Sequence, residues 1–376
     1  MRDGRGRGAR VASTAMASAD TARLLRRGLE IFAVLSVLAV LALLVYTGQW
    51  SATVNAFLRV DPWWMLAALG ISSLDWFGGG VRIWVLAKYV YPRTPFWGMV
   101  AAGGLSAWAA YLTPAQAGAG PMMIYTMRRY GVPMPETLTS TLMDFLATIV
   151  FFAIAGPLVI LFGAGRSLSA HDIPLVNVTF YDLFKATAGI WLGLGLLIAF
   201  VVVFPGATRR LLHAVVTWLG RHHGEKVAAR VDGLRAGIDR IHDCVLAYFR
   251  GMGWVAMALG VITSALAHAT KYLSGYVALR ALGLHASFFD VLVLQTTIAF
   301  LLYFAPTPGS SGAAEALSAA MMSIYVPASF LAAYTILWRF TMSYATVIFG
   351  TFVFYRLLHG RLDEAVESAG AGPPAA

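Results

Sequence analysis

The sequence predicts an all-α polytopic membrane protein. Of its 376 residues, 59% are hydrophobic and only 12% are charged, whereas a soluble domain carries roughly 25% charged residues. Apolar stretches recur along the chain at lengths that suit a membrane helix, which needs about 20 residues. Two other apolar stretches are interrupted by loops rich in proline and glycine, at corresponding places in the two halves. We therefore predict about six full spans plus two re-entrant broken helices in an inverted-topology repeat.

The apolar segments define the predicted elements in order. Full spans are expected at 29–47, 63–86, 137–162, 183–204, 252–279 and 330–356, and the broken elements at 98–136 and 288–327. Each half then has the same plan of two spans, one broken element and one span. The halves are 29–163 and 183–356. The alternative, in which each broken element makes two full crossings, leaves the sidedness of the loops unchanged and stays open.

Basic residues set the predicted orientation. Residues 1–28 contain seven arginines, and residues 205–251 contain eight lysines and arginines against four acids. Such loops lie on the cytoplasmic side of a membrane, so both termini are predicted to be cytoplasmic, in a bacterial or archaeal plasma membrane. The tails 1–28 and 357–376 are predicted to be disordered. The net charge of +10 follows from these loops and does not indicate a nucleic acid partner.

The basic loop contains a predicted amphipathic helix at about 208–250. Its apolar residues recur every three or four positions, namely Val227, Val231, Leu234, Ile238, Ile241 and Val245, which gives one apolar helical face. A helix on the membrane surface and a coiled coil that binds a partner both fit this pattern.

The two interruptions have related sequences. Tyr-Leu-Thr-Pro at 111–114 and Tyr-Phe-Ala-Pro at 303–306 each end in a proline, and a glycine follows six residues later, at Gly120 and Gly312. A broken helix frees backbone N–H and C=O groups, which lipid cannot satisfy, so protein or a polar cavity must meet them. Broken segments repeated in two halves indicate a transporter's binding site.

The helices that follow the two loops are predicted to bind phosphate. A helix N-terminus offers free N–H groups and a positive dipole end. The candidate residues are Gln116, Gly118 and Gly120 in the first loop and Pro306, Gly309, Ser310, Ser311 and Gly312 in the second. Ser310 or Ser311 can cap the second helix, which should begin near Gly312. Glu315 in its first turn is either a structural cap or the partner of a proton or a headgroup amine.

Charged residues inside the predicted spans are the remaining candidates. They are Asp75, Arg82, Asp144, Lys271 and Arg339. Intramembrane charges are costly and usually pair inside the bundle. Because acids in the first half correspond to bases in the second, we predict that Asp75 approaches Lys271 and that Asp144 approaches Arg339. These pairs either line a polar binding cavity or lock the bundle, and Arg82 either faces a ligand or extends toward the cytoplasmic surface.

Several of these segments carry a family resemblance. The run Pro-Thr-Pro-Gly-Ser-Ser-Gly-Ala-Ala-Glu-Ala at 306–316 and the pattern Thr-Pro, Gly, Arg-Arg-Tyr-Gly-Val within 113–132 resemble the transmembrane domain of lysylphosphatidylglycerol synthases. Asp144, Arg339 and Gly350 fit the same pattern. The resemblance extends to stand-alone flippase-like proteins built on that domain. It covers about residues 29–356 and implies a flippase-like transmembrane domain.

The predicted function is translocation of a lipid or lipid-linked headgroup, with its phosphate bound near the bilayer midplane. The expected partners are membrane lipids that are anionic or carry phosphate. No cofactor, metal site or catalytic residue is predicted, so an enzyme is the less favoured class. Two alternatives remain: a non-transporting membrane partner of a lipid-modifying transferase, and a membrane-embedded enzyme acting on a lipid headgroup.

Overall fold

The computed structural model describes residues 26–161, 179–204, 246–303 and 305–370, with isolated positions between 206 and 243. In these ranges the regular elements are helices. They are α1 (Arg26–Thr47), α2 (Trp50–Leu58), α3 (Pro62–Ser72), α4 (Leu74–Val90), α5 (Phe96–Leu112), α6 (Ala119–Arg129), α7 (Met134–Leu161), α8 (Phe180–Val203), α9 (Gly253–Ala267), α10 (Ala269–Ala281), α11 (Phe288–Leu302), α12 (Ala313–Met322), α13 (Ala328–Arg339) and α14 (Ala345–Gly370).

The predicted polytopic fold is confirmed. Five segments in the described ranges are long and apolar enough to cross a bilayer: Arg26–Thr47, Met134–Leu161, Tyr181–Phe200, Gly253–Ala281 and Ala328–Leu357. The remaining predicted span, 63–86, corresponds to α3 and α4, which meet at Ser73. The Ser73 hydroxyl bonds back to the carbonyl of Gly70, a local bond that competes with the regular helical ladder.

The predicted bounds of three segments can be compared with the described residues. Helix α1 is already helical at Arg26, the first described residue, so it extends beyond the predicted start at 29. The backbone is helical to Gly370, beyond residue 357, where the C-terminal tail is predicted to start. Most of the predicted amphipathic helix at 208–250 lies outside the described residues.

Two helical hairpins are interrupted by short 3₁₀ turns. Helices α5 and α6 are joined through Pro114–Gln116, and α11 and α12 are joined through Pro308–Ser310. We call residues 113–118 the first tip and residues 307–312 the second tip. The tips contact each other inside the molecule, and the backbone N–H of Ala115 donates to the carbonyl of Ala305, two residues before the second tip, at 3.2 Å. Backbone groups freed by one break are thus partly satisfied by the other.

Helix α4 packs closely on α5 and carries two of the predicted charged residues. A Cβ atom added to Gly103 on α5 would lie 2.5 Å from the backbone nitrogen of Gly80 on α4. Small residues allow this approach between membrane helices, where packing rather than hydrophobic burial drives association. The contact fixes the face of α4 that bears Asp75 and Arg82 beside the first tip.

The second hairpin packs into the largest apolar core. Its buried members include Leu294 on α11, Met322 on α12 and Trp338 on α13. Helix α13 then passes through a π-helical turn, Phe340–Tyr344, before α14 begins. Such turns occur often at functional sites, and this one follows directly after Arg339.

Candidate functional site

A polar cavity of about 440 Å³ lies beside the first tip. It is bounded by helices α4 to α11. Its polar lining residues are Asp75, Arg82, Ser106, Gln116, Thr141, Asp144, Thr148, His268, Lys271 and Tyr303. Gly120 also lines it, so the cavity unites six of the candidates named from the sequence: Asp75, Arg82, Gln116, Gly120, Asp144 and Lys271.

One wall of the cavity holds a bidentate ion pair. The Arg82 Nε and Nη2 atoms donate to the two carboxylate oxygens of Asp144 at 2.6 and 2.7 Å, and Arg82 Nη1 donates to Thr148 at 2.8 Å. The fork of an arginine matches a carboxylate in this way. The prediction that Asp144 pairs with Arg339 is therefore wrong, because α4 rather than α13 faces Asp144. Arg82 is buried in this pair and does not extend to the surface.

Asp75 lies on the same wall without an arginine. Its Oδ2 atom accepts hydrogen bonds from the hydroxyls of Tyr111 at 3.2 Å and Thr346 at 2.9 Å, and only 4% of the residue is exposed. Lys271 lies close enough to attract the carboxylate electrostatically. Among the described residues, however, no ion pair within 4.0 Å joins them. The predicted approach of Asp75 and Lys271 is confirmed as proximity and not as a salt bridge.

Lys271 is a cation of the cavity whose ammonium donors are largely unused. Its Nζ atom is 3.4 Å from the Gln116 side-chain oxygen and 5.2 Å from the centre of the Tyr303 ring. An ammonium has three donors, and a contact of 3.4 Å uses one of them weakly. Lys271 can therefore bind an anion that enters the cavity.

The first tip holds a strained backbone against the cavity. Ala115 and Gln116 have φ of 48° and 57°, values that residues with a side chain seldom adopt. Such strain persists only where surrounding structure imposes it, often at functional sites. The Thr113 hydroxyl accepts from the N–H of Gly118 at 2.8 Å, and α6 begins at the next residue. The N-terminus of α6 thus reaches the cavity through Ala119 and Gly120.

The second tip contains the same pair of left-handed residues, and this pair shows which prolines of the two tips correspond. Gly309 and Ser310 have φ of 58° and 56°, like the two residues after Pro114. Pro114 therefore corresponds to Pro308 and not to Pro306, as the sequence had suggested. The glycine before each helix follows four residues after the proline, at Gly118 and Gly312.

The N-terminus of α12 is occupied by the protein's own carboxylate. Glu315 Oε2 accepts from the N–H of Gly312 at 2.7 Å, and its Oε1 accepts from Arg339 Nε at 2.8 Å. Glu315 and Arg339 are 1% and 0% exposed. Gly309, Ser310, Ser311 and Gly312 thus form, with Glu315 and Arg339, a closed cluster apart from the polar cavity. The remaining candidate, Pro306, is exposed and lies outside both.

Neither serine of the second tip caps α12. The Ser310 hydroxyl donates to the carbonyl of Leu302 at 2.9 Å. The Ser311 hydroxyl instead accepts from Arg339 Nη2 at 3.3 Å and from Ser36 on α1 at 3.1 Å. The predicted serine cap is wrong, because Glu315 reaches back over the first turn and takes that role.

The sequence reasoning missed several residues around the two clusters. Thr346 and Tyr111 hold Asp75, His268 and Thr148 line the cavity, and Phe32 on α1 lies under the Arg339 guanidinium at 5.5 Å. Tyr111 lay inside the first recognised motif and could have been named. The others are single residues within apolar stretches, and nothing in the sequence around them marks them. Only the packing of helices that are distant in sequence brings them to the two clusters.

A larger cavity of about 940 Å³ lies between α3, α4, α5 and α14. Its lining is almost wholly apolar and aromatic, with Trp76, Phe77, Trp97, Phe349 and Phe352 among its members. Thr346 lines it too, so the Asp75–Thr346 hydrogen bond joins the walls of the two cavities.

The comparisons with known proteins agree with this architecture. The sequence profile of the family described as lysylphosphatidylglycerol synthase TM region matches residues 31–350. The chain belongs to this family. The match includes both tips and nearly coincides with the predicted domain at 29–356. A UPF0104 membrane protein from Archaeoglobus fulgidus is 22% identical over 311 residues, which are 80% of this chain and 85% of that protein.

Proposed function

We propose that this protein translocates a phosphate-bearing lipid and that the polar cavity receives the headgroup. The observation that carries the proposal is a cavity that combines an available cation with an apolar, open edge. Lys271 provides the cation. On the other side, Phe145, Ile190 and Leu194 line the cavity while 61, 49 and 37% exposed. A lipid has this division, since its headgroup is polar and its acyl chains stay in the hydrocarbon.

The first tip is the better candidate for the phosphate. The first N–H groups of a helix lack partners within the helix and favour anions. In α12 the carboxylate of Glu315 already lies at this end. The corresponding third residue of α6 is Pro121, which supplies no carboxylate. The sequence-based proposal of two phosphate sites is thereby reduced to one, formed by the start of α6 with Gln116 and Lys271.

The arrangement of the hairpins supports a re-entrant, inverted repeat. Helices α6 and α12 have 11 and 10 residues and are about 15 Å long at 1.5 Å per residue. A bilayer core is about 30 Å thick, so neither crosses it alone. Meeting tips then lie near the midplane, as in transporters with broken helices. The charge bias of the loops supports cytoplasmic termini in a bacterial or archaeal plasma membrane.

Reconstitution into lipid vesicles tests the proposal. Vesicles would carry fluorescent phosphatidylglycerol, phosphatidylethanolamine or phosphatidylcholine, and a membrane-impermeant quencher would report the fraction that has crossed. We expect the wild-type protein to accelerate crossing of at least one phospholipid and Lys271→Gln to abolish most of the effect. Lys185→Gln is the matched control, because Lys185 is half exposed and pairs with Asp182 at 2.7 Å.

The same experiment decides between the proposal and its alternatives. A non-transporting partner of a lipid-modifying transferase would leave every lipid in place when purified alone. A headgroup enzyme would change the lipid chemically, which mass spectrometry of the recovered lipids detects. Crossing that is equal for Lys271→Gln and wild type would contradict the assignment of the cavity.

A further inference from the structure

Asp75 is held differently from the other carboxylates of the two clusters. Asp144 and Glu315 each have an arginine at 2.6 to 2.8 Å. Asp75 has two neutral hydroxyls, from Tyr111 on α5 and Thr346 on α14, and both bond to the same oxygen. A buried carboxylate without an arginine stays ionised only if some other charge compensates it.

Among the groups around Asp75, one cation is available to compensate its negative charge. The groups that face it or its part of the cavity are Tyr111, Thr270, Lys271, His268, Tyr303, Thr346 and the Arg82–Asp144 pair contributed by α4 and α7. Arg82 is committed to Asp144 by two short bonds. Lys271 is therefore the compensating cation, and it acts through space rather than by contact.

A bound anion changes this balance. In the empty cavity the charges of Asp75, Asp144, Arg82 and Lys271 cancel. A monoanionic headgroup that bonds to Lys271 adds one negative charge in a region of low dielectric, where an uncompensated charge is costly. One proton on Asp75 restores neutrality.

We propose that Asp75 is a proton-binding site that is filled when an anionic headgroup occupies the cavity. The proposal rests on the function proposed above and extends it by naming a second, co-bound ligand. The proton comes from hydronium or a protonated buffer molecule in solution: the donor's bond to that proton breaks, and one O–H bond forms on the carboxylate. An anionic lipid would then move together with a proton, and a pH gradient would drive its net transfer.

Calorimetry with a short-chain lipid measures the coupled proton. Binding of dihexanoyl phosphatidylglycerol to the detergent-solubilised protein would be followed near neutral pH in two buffers of different ionisation enthalpy. The wild-type protein should take up about one proton per lipid bound, and Asp75→Asn about none. Asp290→Asn is the matched control, because Asp290 is also buried and accepts from a tyrosine, Tyr325, at 2.8 Å, yet does not line the cavity. It should behave as wild type.

Each outcome decides between the two proposals. Binding without proton uptake, or uptake that persists in Asp75→Asn, overturns the proton site and leaves the lipid site standing. No binding at any pH contradicts the lipid site itself. If Asp75→Asn does not fold, infrared spectroscopy of the wild type replaces it. Addition of the lipid should then produce a protonated carboxyl band above about 1,700 cm⁻¹, as expected for a neutralised carboxyl, and its absence overturns the proposal.

Discussion

The two tips begin with the same backbone and have opposite surroundings. The left-handed pair after the proline is common to both, whereas the glycine before the helix has φ of −74° at Gly118 and 85° at Gly312. In both, a Thr-Pro pair precedes two left-handed residues and a glycine that begins a helix. The second tip is sealed, with Glu315 and Arg339 buried against its helix N-terminus. The first has Pro121 in place of the glutamate and opens on the polar cavity. The comparison teaches that the same kind of helix break can be closed by the protein's own carboxylate or left open to a cavity, and the third residue of the following helix, Glu315 or Pro121, is one difference between them.

The largest expected loss of stability comes from breaking the buried Glu315–Arg339 ion pair at the second tip. Arg339→Leu would leave the Glu315 carboxylate buried without its partner, and breaking a buried ion pair in this way costs about 3–5 kcal/mol of stability. Thermal unfolding of the detergent-solubilised protein measures the loss. The double change with Glu315→Leu should regain much of it, because no charge then remains buried. A single change as stable as wild type would contradict the sealed arrangement.

A smaller effect is expected at the ion pair of the cavity. The losses in the free energy of unfolding caused by Asp144→Asn and Arg82→Gln should be non-additive. A double-mutant cycle of thermal unfolding in detergent should give a coupling of about 1–3 kcal/mol, as for residues in direct contact. Asp144→Asn and Arg339→Gln should be additive, because these residues belong to separate clusters. Coupling in the second cycle and none in the first would contradict the pairing described here.

The glycines of the second tip separate strain from contact. A Cβ atom at Gly309 would collide with the carbonyl oxygen of Tyr111, near the end of α5 and just before the first tip, whereas one at Gly312 would meet nothing within 4 Å. Gly312→Ala should cost about 1–2 kcal/mol from its left-handed φ alone, and Gly309→Ala should cost more. Folded Gly312→Ala protein should move lipid as wild type does, since the second tip binds no headgroup. Equal stability losses in Gly309→Ala and Gly312→Ala would contradict the close contact between Gly309 and the end of α5.

Much of the fold was predictable, whereas much of the site was not. Hydropathy located the spans because lipid imposes a length and a polarity on every crossing helix. Pro114 and Pro308 marked the breaks, but Pro306 obscured the register, which became visible only through the left-handed residues that follow each proline. The partners of Asp144 and Glu315 depend on which helix faces meet. Spacing along the chain placed Arg339 opposite Asp144, whereas packing placed Arg82 there.

The most direct test of the account is to give the first tip the residue that seals the second. Pro121→Glu places a carboxylate in the first turn of α6, where it also suits the helix dipole, so the protein should remain folded. Binding of dihexanoyl phosphatidylglycerol should weaken by about tenfold or more, which corresponds to at least about 1.4 kcal/mol, and Pro121→Ala should bind as wild type. Equal affinity in Pro121→Glu, Pro121→Ala and wild type would contradict the claim that the open helix N-terminus of the first tip holds the lipid phosphate.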